Sequence, residues 1–277
     1  MNLFSVISEF NPFHNGHSYL VDSMRKQGAT HVAAIMSGNY TQRGEPAVID
    51  KYARTKAALD SGIDLVLLIP VTYSTASAEK YALGGVTIAE AMGCCNTLFF
   101  GSECGEIQKL EKICETFESI SFKAWLAGYI SSNETYARAV ELSLVNTLGE
   151  EYAEIMRTPN NILAVQYMKA IRDIKSSLIP KTTTRIGVAH NSQTANESYA
   201  SASFIRHLIE ANADYKKFVT QKSYNIIKEA IYNKAAPVVL SNFERLILYR
   251  LRTMSENDYK ILPNISEGIE NRIKNAS

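Results

Sequence analysis

Through the first two thirds of the chain, short runs in which nearly every position is apolar alternate with stretches in which apolar residues recur every three or four positions. The apolar runs at 3–8, 31–36, 64–69 and 97–101 predict four strands, and 185–189 predicts a fifth. Between them the helical spacing predicts helices at about 16–27, at 50–61 stopped by Gly62, and at 76–92 stopped by Gly93. Strands apolar on both sides and joined by helices must be covered on two faces, so the pattern predicts a doubly wound parallel sheet of the α/β class. From 106 to 175 the pattern turns mostly helical, with Trp125 and several tyrosines expected to pack. From 201 onward it is helical throughout, with helices expected at 202–211, 214–233, 242–254 and 266–276. The expected organisation is an α/β domain over 1–208, a mostly helical insertion at about 106–178, and a helical C-terminal region over 209–277.

In such sheets ligands bind beyond the C-terminal strand edge, where strand order reverses. The first strand runs there into Asn11-Pro12-Phe13-His14-Asn15-Gly16-His17. Pro12 fixes a turn, Gly16 lets the backbone approach a ligand, and His14 and His17 fall three apart on one helical face. The first N–H groups of a helix are unpaired and its dipole end is positive, which attracts phosphate. Imidazole donors can follow charge developing on an α-phosphate as pyrophosphate leaves, so the arrangement favours nucleotidyl transfer. A solvated turn and a metal site are the competing readings. The metal reading is weakened because His-Asn-Gly-His lacks the Glu of a zinc-protease helix and has no Cys or third His nearby.

Other polar stretches leave the same predicted edge. Ser37, Gly38, Asn39 and Arg43 lie in the Met36 to Pro46 loop, where Arg43 could grip a carboxylate or phosphate in bidentate fashion, or could sit in a surface turn. Asp50, Lys51, Arg54 and Lys56 open the next helix and read as a solvated face with helix-pairing charges. Gly101 offers bare backbone to a base or ribose, and Pro159-Asn160-Asn161 reads as a helix cap with one Asn to spare for a ligand. Arg185 stands at the start of the expected fifth strand. Ser203 and Arg206 at the next helix start form a second small anion site.

Composition narrows the classes. With 277 residues, 46% hydrophobic and 21% charged, the chain is ordinary globular protein and not a disordered or fibrous one. The longest apolar stretch is too short to span a bilayer, and no basic-then-apolar leader opens the chain, so a cytoplasmic location and no membrane partner are expected. Cys94, Cys95, Cys104 and Cys114 make no C-x-x-C pair and are expected to be buried small hydrophobes. A net charge of +1 leaves no global footprint for nucleic acid, so RNA binding would need a local patch.

Two of these stretches together carry a resemblance. His14-Asn15-Gly16-His17 followed by Ser203-Phe204-Ile205-Arg206 resembles the HIGH-motif nucleotidyltransferases. The longer stretches Glu9 to His17, Met36-Ser37-Gly38-Asn39, Gln42-Arg43-Gly44-Glu45-Pro46-Ala47, Phe100-Gly101-Ser102-Glu103 and Pro159-Asn160-Asn161-Ile162-Leu163 are similar to the tRNA(Met) cytidine acetate ligase family, over nearly the whole chain. The resemblance implies a Rossmann-like nucleotidyltransferase fold and a two-step reaction. ATP and acetate give acetyl-adenylate and pyrophosphate, and the acetyl group then passes to N4 of the wobble cytidine of elongator tRNA(Met).

It further implies His14, His17, Ser203 and Arg206 as catalytic. The implied ATP site comprises Ile7-Ser8-Glu9-Phe10-Asn11-Pro12-Phe13-His14-Asn15-Gly16-His17-Ser18-Tyr19-Leu20, Gly101, one of Asn160 and Asn161, and Arg185, with acetate against the α-phosphate near the first loop and Ser37, Gly38, Asn39 and Arg43 as substrate-binding residues. Mg²⁺ can assist at the phosphates, but the sequence shows no cluster that demands a metal. Family members usually continue well past the counterpart of Ile265 to Arg272 with a basic segment, so the C-terminal region is expected to be incomplete. The stretch Ile186-Gly187-Val188-Ala189-His190-Asn191 also departs from the family's pattern, so contacts there are expected to differ. The rival readings are an adenylyltransferase acting on a phosphorylated small molecule and a nucleotide- or tRNA-binding module without chemistry.

Overall fold

The computed structural model describes residues 1–186, 198–262 and 269–276. Five strands, β1 (Leu3–Ser8), β2 (His31–Ser37), β3 (Leu65–Ile69), β4 (Cys95–Ser102) and β5 (Ile179–Thr184), form one sheet in the order β3-β2-β1-β4-β5. Every neighbouring pair is parallel. Strand order reverses between β1 and β4, so the doubly wound α/β architecture places its switch point at the exit of β1.

The fifth strand is not at 185–189. It lies just upstream, as Ile-Pro-Lys-Thr-Thr-Thr, a half-exposed edge strand with no apolar run to announce it. Proline is tolerated there because an edge strand has one unpaired side. Arg185 therefore follows the strand instead of starting it, and Gly187, Val188, Ala189, His190 and Asn191 lie outside the described residues.

Between β1 and β2 runs α1 (Asn15–Lys26), and between β2 and β3 α2 (Lys51–Asp60). The helix expected at 76–92 is α4 (Ala78–Ala91), capped by Ser77, and a short α3 (Val71–Ser74) that the pattern did not announce precedes it. The region after β4 is helical as expected: α5 (Ile107–Glu118), α6 (Ile120–Ser131), α7 (Tyr136–Leu148), α8 (Glu150–Ile155) and α9 (Pro159–Asp173). Trp125 packs by stacking on Tyr129, with 47% of its surface still exposed. After β5 come α10 (Ala202–Glu210), α11 (Gln221–Tyr232), α12 (Glu244–Thr253), α13 (Glu256–Lys260) and α14 (Ile269–Ala276). The boundary expected near residue 208 falls inside α10.

Alternation along the strands sends side chains to two cores. Leu3, Ile7, Ile35, Leu98 and Phe100 pack under α4, α5 and α9, while Phe4, Val6, Val32, Met36 and Phe99 pack under α1 and α2. Ile226 of α11 joins the second cluster, and Ile205, Ile209, Phe218 and Ile227 close a third around Val48 and Ile49. Cys95 and Cys114 are buried as expected, but Cys94 is exposed and Cys104 half-buried.

One feature of the sheet prepares the site. Pairing of β1 continues to Ser8–Met36 on the β2 side, and pairing of β4 to Ser102–Thr184 on the β5 side. Between β1 and β4 it stops at Ser5–Leu98. The two central strands part over their last residues and leave a gap at the switch point.

Candidate active site

A cleft of about 290 Å³ opens over that gap. Its floor is Val6, Ile7 and Ser8 from β1 and Phe100 and Gly101 from β4. On the α1 side lie His14, His17, Leu20 and Arg185, joined from the α10 start by Ser201, Ser203 and Arg206. On the α4 and α9 side lie Glu9, Gln42, Tyr81, Asn160, Leu163 and Tyr167. The first lobe is rich in donors and cations, whereas the second holds a carboxylate and two phenols.

The histidines serve the fold and the cleft at once. His14 is the N-cap of α1, and its Nδ1 accepts from the Gly16 N–H at 3.0 Å. His17 returns the bond, with its Nδ1 accepting from the His14 N–H at 3.2 Å. This reciprocal cap pairs two otherwise orphaned helix-start donors. It also assigns the tautomer, since a ring nitrogen that accepts carries no proton, so each neutral ring has its proton on Nε2. The rings stack at 3.7 Å between centroids. Burial first, then His14, then Arg185 hold the His17 pKa well below the usual histidine value, so that ring stays neutral. A Cβ on Gly16 would come within 2.9 Å of the His14 ring, so this stacking requires glycine. Phe10, at a φ of 46°, accepts a strained backbone conformation and lays its ring edge-on to His17 at 4.9 Å.

Arg54 departs furthest from the sequence reading. Instead of lying on a solvated face, it is fully buried, sharing the inner face of α2 with Ala57 and Ala58. Its guanidinium donates to the carbonyls of Glu9, Ser37 and Gly38 and lies 3.5 Å from Ser37 Oγ. It clasps the exits of β1 and β2 together. Burial lowers its pKa to about 10, with Glu9 and Asp50 opposing, so it remains charged at neutral pH.

This clasp explains where the second loop goes. Ser37, Gly38 and Asn39 are absent from the cleft lining: the Ser37 and Gly38 carbonyls are held by Arg54, and Asn39 Oδ1 accepts from Lys51 N at the start of α2. The wall is made further on, by Thr41, Gln42, Arg43 and Glu45. A turn closed by Thr41 N to Glu45 O, with Gly44 at φ 79°, carries Arg43 to the exposed rim. Gln42 ties the turn down, its N–H donating to Glu9 Oε1 at 2.8 Å and its amide to the Ala76 carbonyl.

The two adjacent asparagines separate. Neither is an N-cap, since α9 starts at Pro159 after Thr158, whose hydroxyl donates back to the Ile155 carbonyl and caps no N–H of the helix. Glu103 replaces that cap from the β4 exit, its carboxylate accepting from Asn161 N at 2.9 Å and from the Asn160 amide. Asn161 is 2% exposed, and its side chain accepts from the N–H groups of Glu103 and Cys104 and donates to the Ile155 carbonyl. Asn160 lines the cleft, its Oδ1 accepting from Arg185 at 3.2 Å. Arg185 lies across Gly101, where a Cβ would meet its side chain at 3.1 Å.

Among the other expected ligand residues, Ile7, Ser8, Glu9, Phe10, Asn11 and Leu20 line the cleft. Gly16 and Tyr19 line a smaller adjoining pocket, with Ile186 and Tyr199. Pro12, Phe13, Asn15 and Ser18 line neither: Phe13 is fully buried, and the Asn15 amide donates to the Ser198 and Lys217 carbonyls. Arg206 donates to the Asn11 carbonyl at 3.0 Å, with Glu45 3.9 Å away, and Ser201 caps α10 by accepting from Phe204 N. Sequence reasoning missed Tyr81, Tyr167, Gln42 and the burial of Arg54. For Arg54 the signal was present, since 54, 57 and 58 share one helical face with two alanines.

Among the described residues, no group of three or more His, Cys, Asp and Glu gathers as a metal site, and no helix is long and apolar enough to cross a membrane.

Comparison with known proteins identifies the family. The model of the HIGH Nucleotidyl Transferase family matches residues 1–277. The chain is 38% identical over 283 residues to a tRNA(Met) cytidine acetate ligase of Thermoanaerobacter sp. (strain X514), covering 100% of this chain and 70% of the relative. It is 36% identical over 288 residues to the protein of that name from Acetivibrio thermocellus, with 100% and 69% covered. The crystal structure of apo Thermotoga maritima TmcAL superposes with a TM-score of 0.95 at 30% identity, over 99% of this chain and 67% of that one. A second crystal form of that protein, bound with alpha-thio ATP, superposes with a TM-score of 0.92. This chain is an enzyme of the HIGH nucleotidyl transferase family and belongs within it to the tRNA(Met) cytidine acetate ligases.

Proposed function

We propose that the chain joins ATP and acetate into acetyl-adenylate with release of pyrophosphate, then passes the acetyl group to N4 of the wobble cytidine of elongator tRNA(Met). The observation that carries this reading is the pair of stacked neutral histidines with their protons on Nε2 at the edge of the cleft, at the switch point of the sheet. Donors fixed before the ligand arrives need no reorganisation as charge builds on the α-phosphate. Ile7, Ser8, Leu20 and Gly101 form the nucleotide bed in this reading, with Asn160 and Arg185 at its far wall. Arg206 and Ser203 take the pyrophosphate end. Acetate lies against the α-phosphate beside the first loop, within reach of Arg43, placed for in-line attack.

The cleft-lining carboxylates, Glu9 and Glu45, do not make a cage for Mg²⁺, so a magnesium ion would be held mainly by the triphosphate oxygens. The tRNA step is supported by the relatives' name, and a reducing, cytoplasmic setting goes with such a substrate. Acetate-dependent exchange of labelled pyrophosphate into ATP tests the first step, and nucleoside mass spectrometry for N4-acetylcytidine tests the second. Exchange that ignores acetate, with a stable AMP conjugate of a phosphorylated metabolite as product, would overturn the ligase reading in favour of an adenylyltransferase.

A further inference from the structure

The second lobe of the cleft is built for something other than phosphate. Tyr81 of α4 is 2% exposed and Tyr167 of α9 is 4% exposed, yet both line the cleft beside Glu9. Gly85 sets this depth: a Cβ there would sit 2.5 Å from Ile7, so α4 presses on β1 and brings Tyr81 to the exit of that strand, while a Cβ on Gly84 would sit 2.7 Å from Tyr73 of α3. Phe100 steadies Tyr167, with ring centroids 5.7 Å apart. Among the described residues neither phenol hydroxyl has a hydrogen-bond partner, and neither oxygen is sealed from solvent although both rings are buried, so both hydroxyls open on the cleft. Glu9 Oε1 accepts from Gln42 N, while Oε2 has no partner among them. The lobe thus offers two donors and one acceptor between flat apolar walls.

The chemistry of the second half-reaction needs such an acceptor. An amine that attacks an acyl-adenylate must shed a proton, and the histidines cannot take it, because each Nδ1 already accepts a main-chain N–H and each Nε2 carries a proton. Glu45, the other cleft carboxylate, faces Arg206 at 3.9 Å. Glu9 remains.

We propose that Glu9, Tyr81 and Tyr167 form the acceptor subsite, in which the phenols hold the ring of an aminopyrimidine and Glu9 Oε2 is the general base for its exocyclic amine. The amine nitrogen forms a bond to the acetyl carbonyl carbon, the bond from that carbon to the AMP oxygen breaks, AMP leaves with the electron pair, and the amine proton passes to Glu9. The products are an N-acetyl base and AMP. Burial pushes both phenol pKa values up, with the negative charge of Glu9 adding to the effect, so both remain donors through the neutral range. This assignment rests on the ligase reading and adds to it the residues of the second step.

The test compares two half-reactions in the 277-residue chain and in its Glu9→Gln, Tyr81→Phe and Tyr167→Phe variants. Acetate-dependent exchange of labelled pyrophosphate into ATP reads adenylation. N4-acetylcytidine, formed on unmodified elongator tRNA(Met) and on free cytidine at high concentration, reads transfer. Gln keeps an acceptor for the Gln42 N–H, and thermal melts check the fold. In Glu9→Gln the loss of transfer is expected to exceed the loss of exchange by about 100-fold. The two Phe variants should raise the acceptor concentration for half-maximal transfer by about tenfold each. Equal losses of both half-reactions in Glu9→Gln, or transfer retained, would overturn the subsite while leaving the ligase reading intact. So would acetate-dependent exchange by the unsubstituted chain with neither acceptor acetylated. Exchange by the unsubstituted chain without dependence on acetate would overturn the ligase reading itself.

Discussion

The two lobes of the cleft are assembled in opposite ways. The histidine lobe is local: His14, Gly16 and His17 lie within one turn, and two short hydrogen-bonded rings set both the helix start and the ring tautomers. The tyrosine lobe is global: Glu9, Tyr81 and Tyr167 come from the first loop, α4 and α9, and meet because Gly85 lets one helix press on the sheet. A lobe built from neighbours in sequence can be recognised as a string of letters. A lobe built by packing exists only once the chain has folded.

That difference can be broken by substitution. The largest effect is expected in the local lobe, where His14→Ala or His17→Ala should lower acetate-dependent pyrophosphate exchange by about 100- to 1,000-fold with the fold retained. Retained exchange in both variants would end the assignment of that lobe. Next in size, Arg54→Met should lower the free energy of unfolding by about 3 kcal/mol in urea titrations, because three loop carbonyls lose a buried donor. Since those carbonyls sit at the roots of both walls, exchange and transfer should fall together, unlike the split expected for Glu9→Gln. A normal melt and normal exchange in Arg54→Met would show that the two loops hold their places unaided.

Smaller still is the contrast within α9. Asn161→Ala should cost about 2 kcal/mol of stability by orphaning the buried N–H groups of Glu103 and Cys104. Asn160→Ala should melt normally and weaken ATP binding by about tenfold in titration calorimetry. The reverse pattern would exchange their roles.

The smallest effect is on pH. The folded-state pKa of His17 lies below its unfolded value, so its contribution to stability is present above that unfolded value and is lost as pH falls through the folded one. Melts taken from about pH 7.5 down to about pH 5.5 should show about 1 kcal/mol lost from this residue, and His17→Gln should flatten the slope by that amount. An unchanged slope would place the titration elsewhere.

What the chain discloses before folding follows the same division. Strands β1 to β4 and the helices between them carry strong apolar periodicity. The fifth strand does not: Pro180, Lys181 and three threonines hide it, a composition an edge strand tolerates, although the other edge strand, β3, is apolar throughout. That small displacement has a large effect: at the start of a strand Arg185 would lie on the far edge of the sheet, whereas after Thr184 it lies at the ligand edge, its amide donating to the Ser102 carbonyl. The loop at 37–39 has the composition of a ligand wall, but its polar groups are spent on Arg54 and α2, and the wall forms four residues later. For Arg54 the difficulty is energetic. A buried guanidinium normally costs several kcal/mol, so a charged residue in an amphipathic helix is reasonably placed on the surface until its carbonyl partners are known.

The parting of β1 and β4 carries one more consequence. Past Ser5 and Leu98 the ladder between the two central strands stops, so main-chain groups of β1 and β4 that face the gap lack the rungs every other interior pair in this sheet enjoys. A nucleotide seated there would stand in for the missing rungs, and the sheet would be whole only when loaded. Amide hydrogen exchange at those residues of β1 and β4 past Ser5 and Leu98 whose N–H groups face the gap should then slow on adding ATP, making the middle of the fold, and not a surface lid, the part of the molecule that reports occupancy.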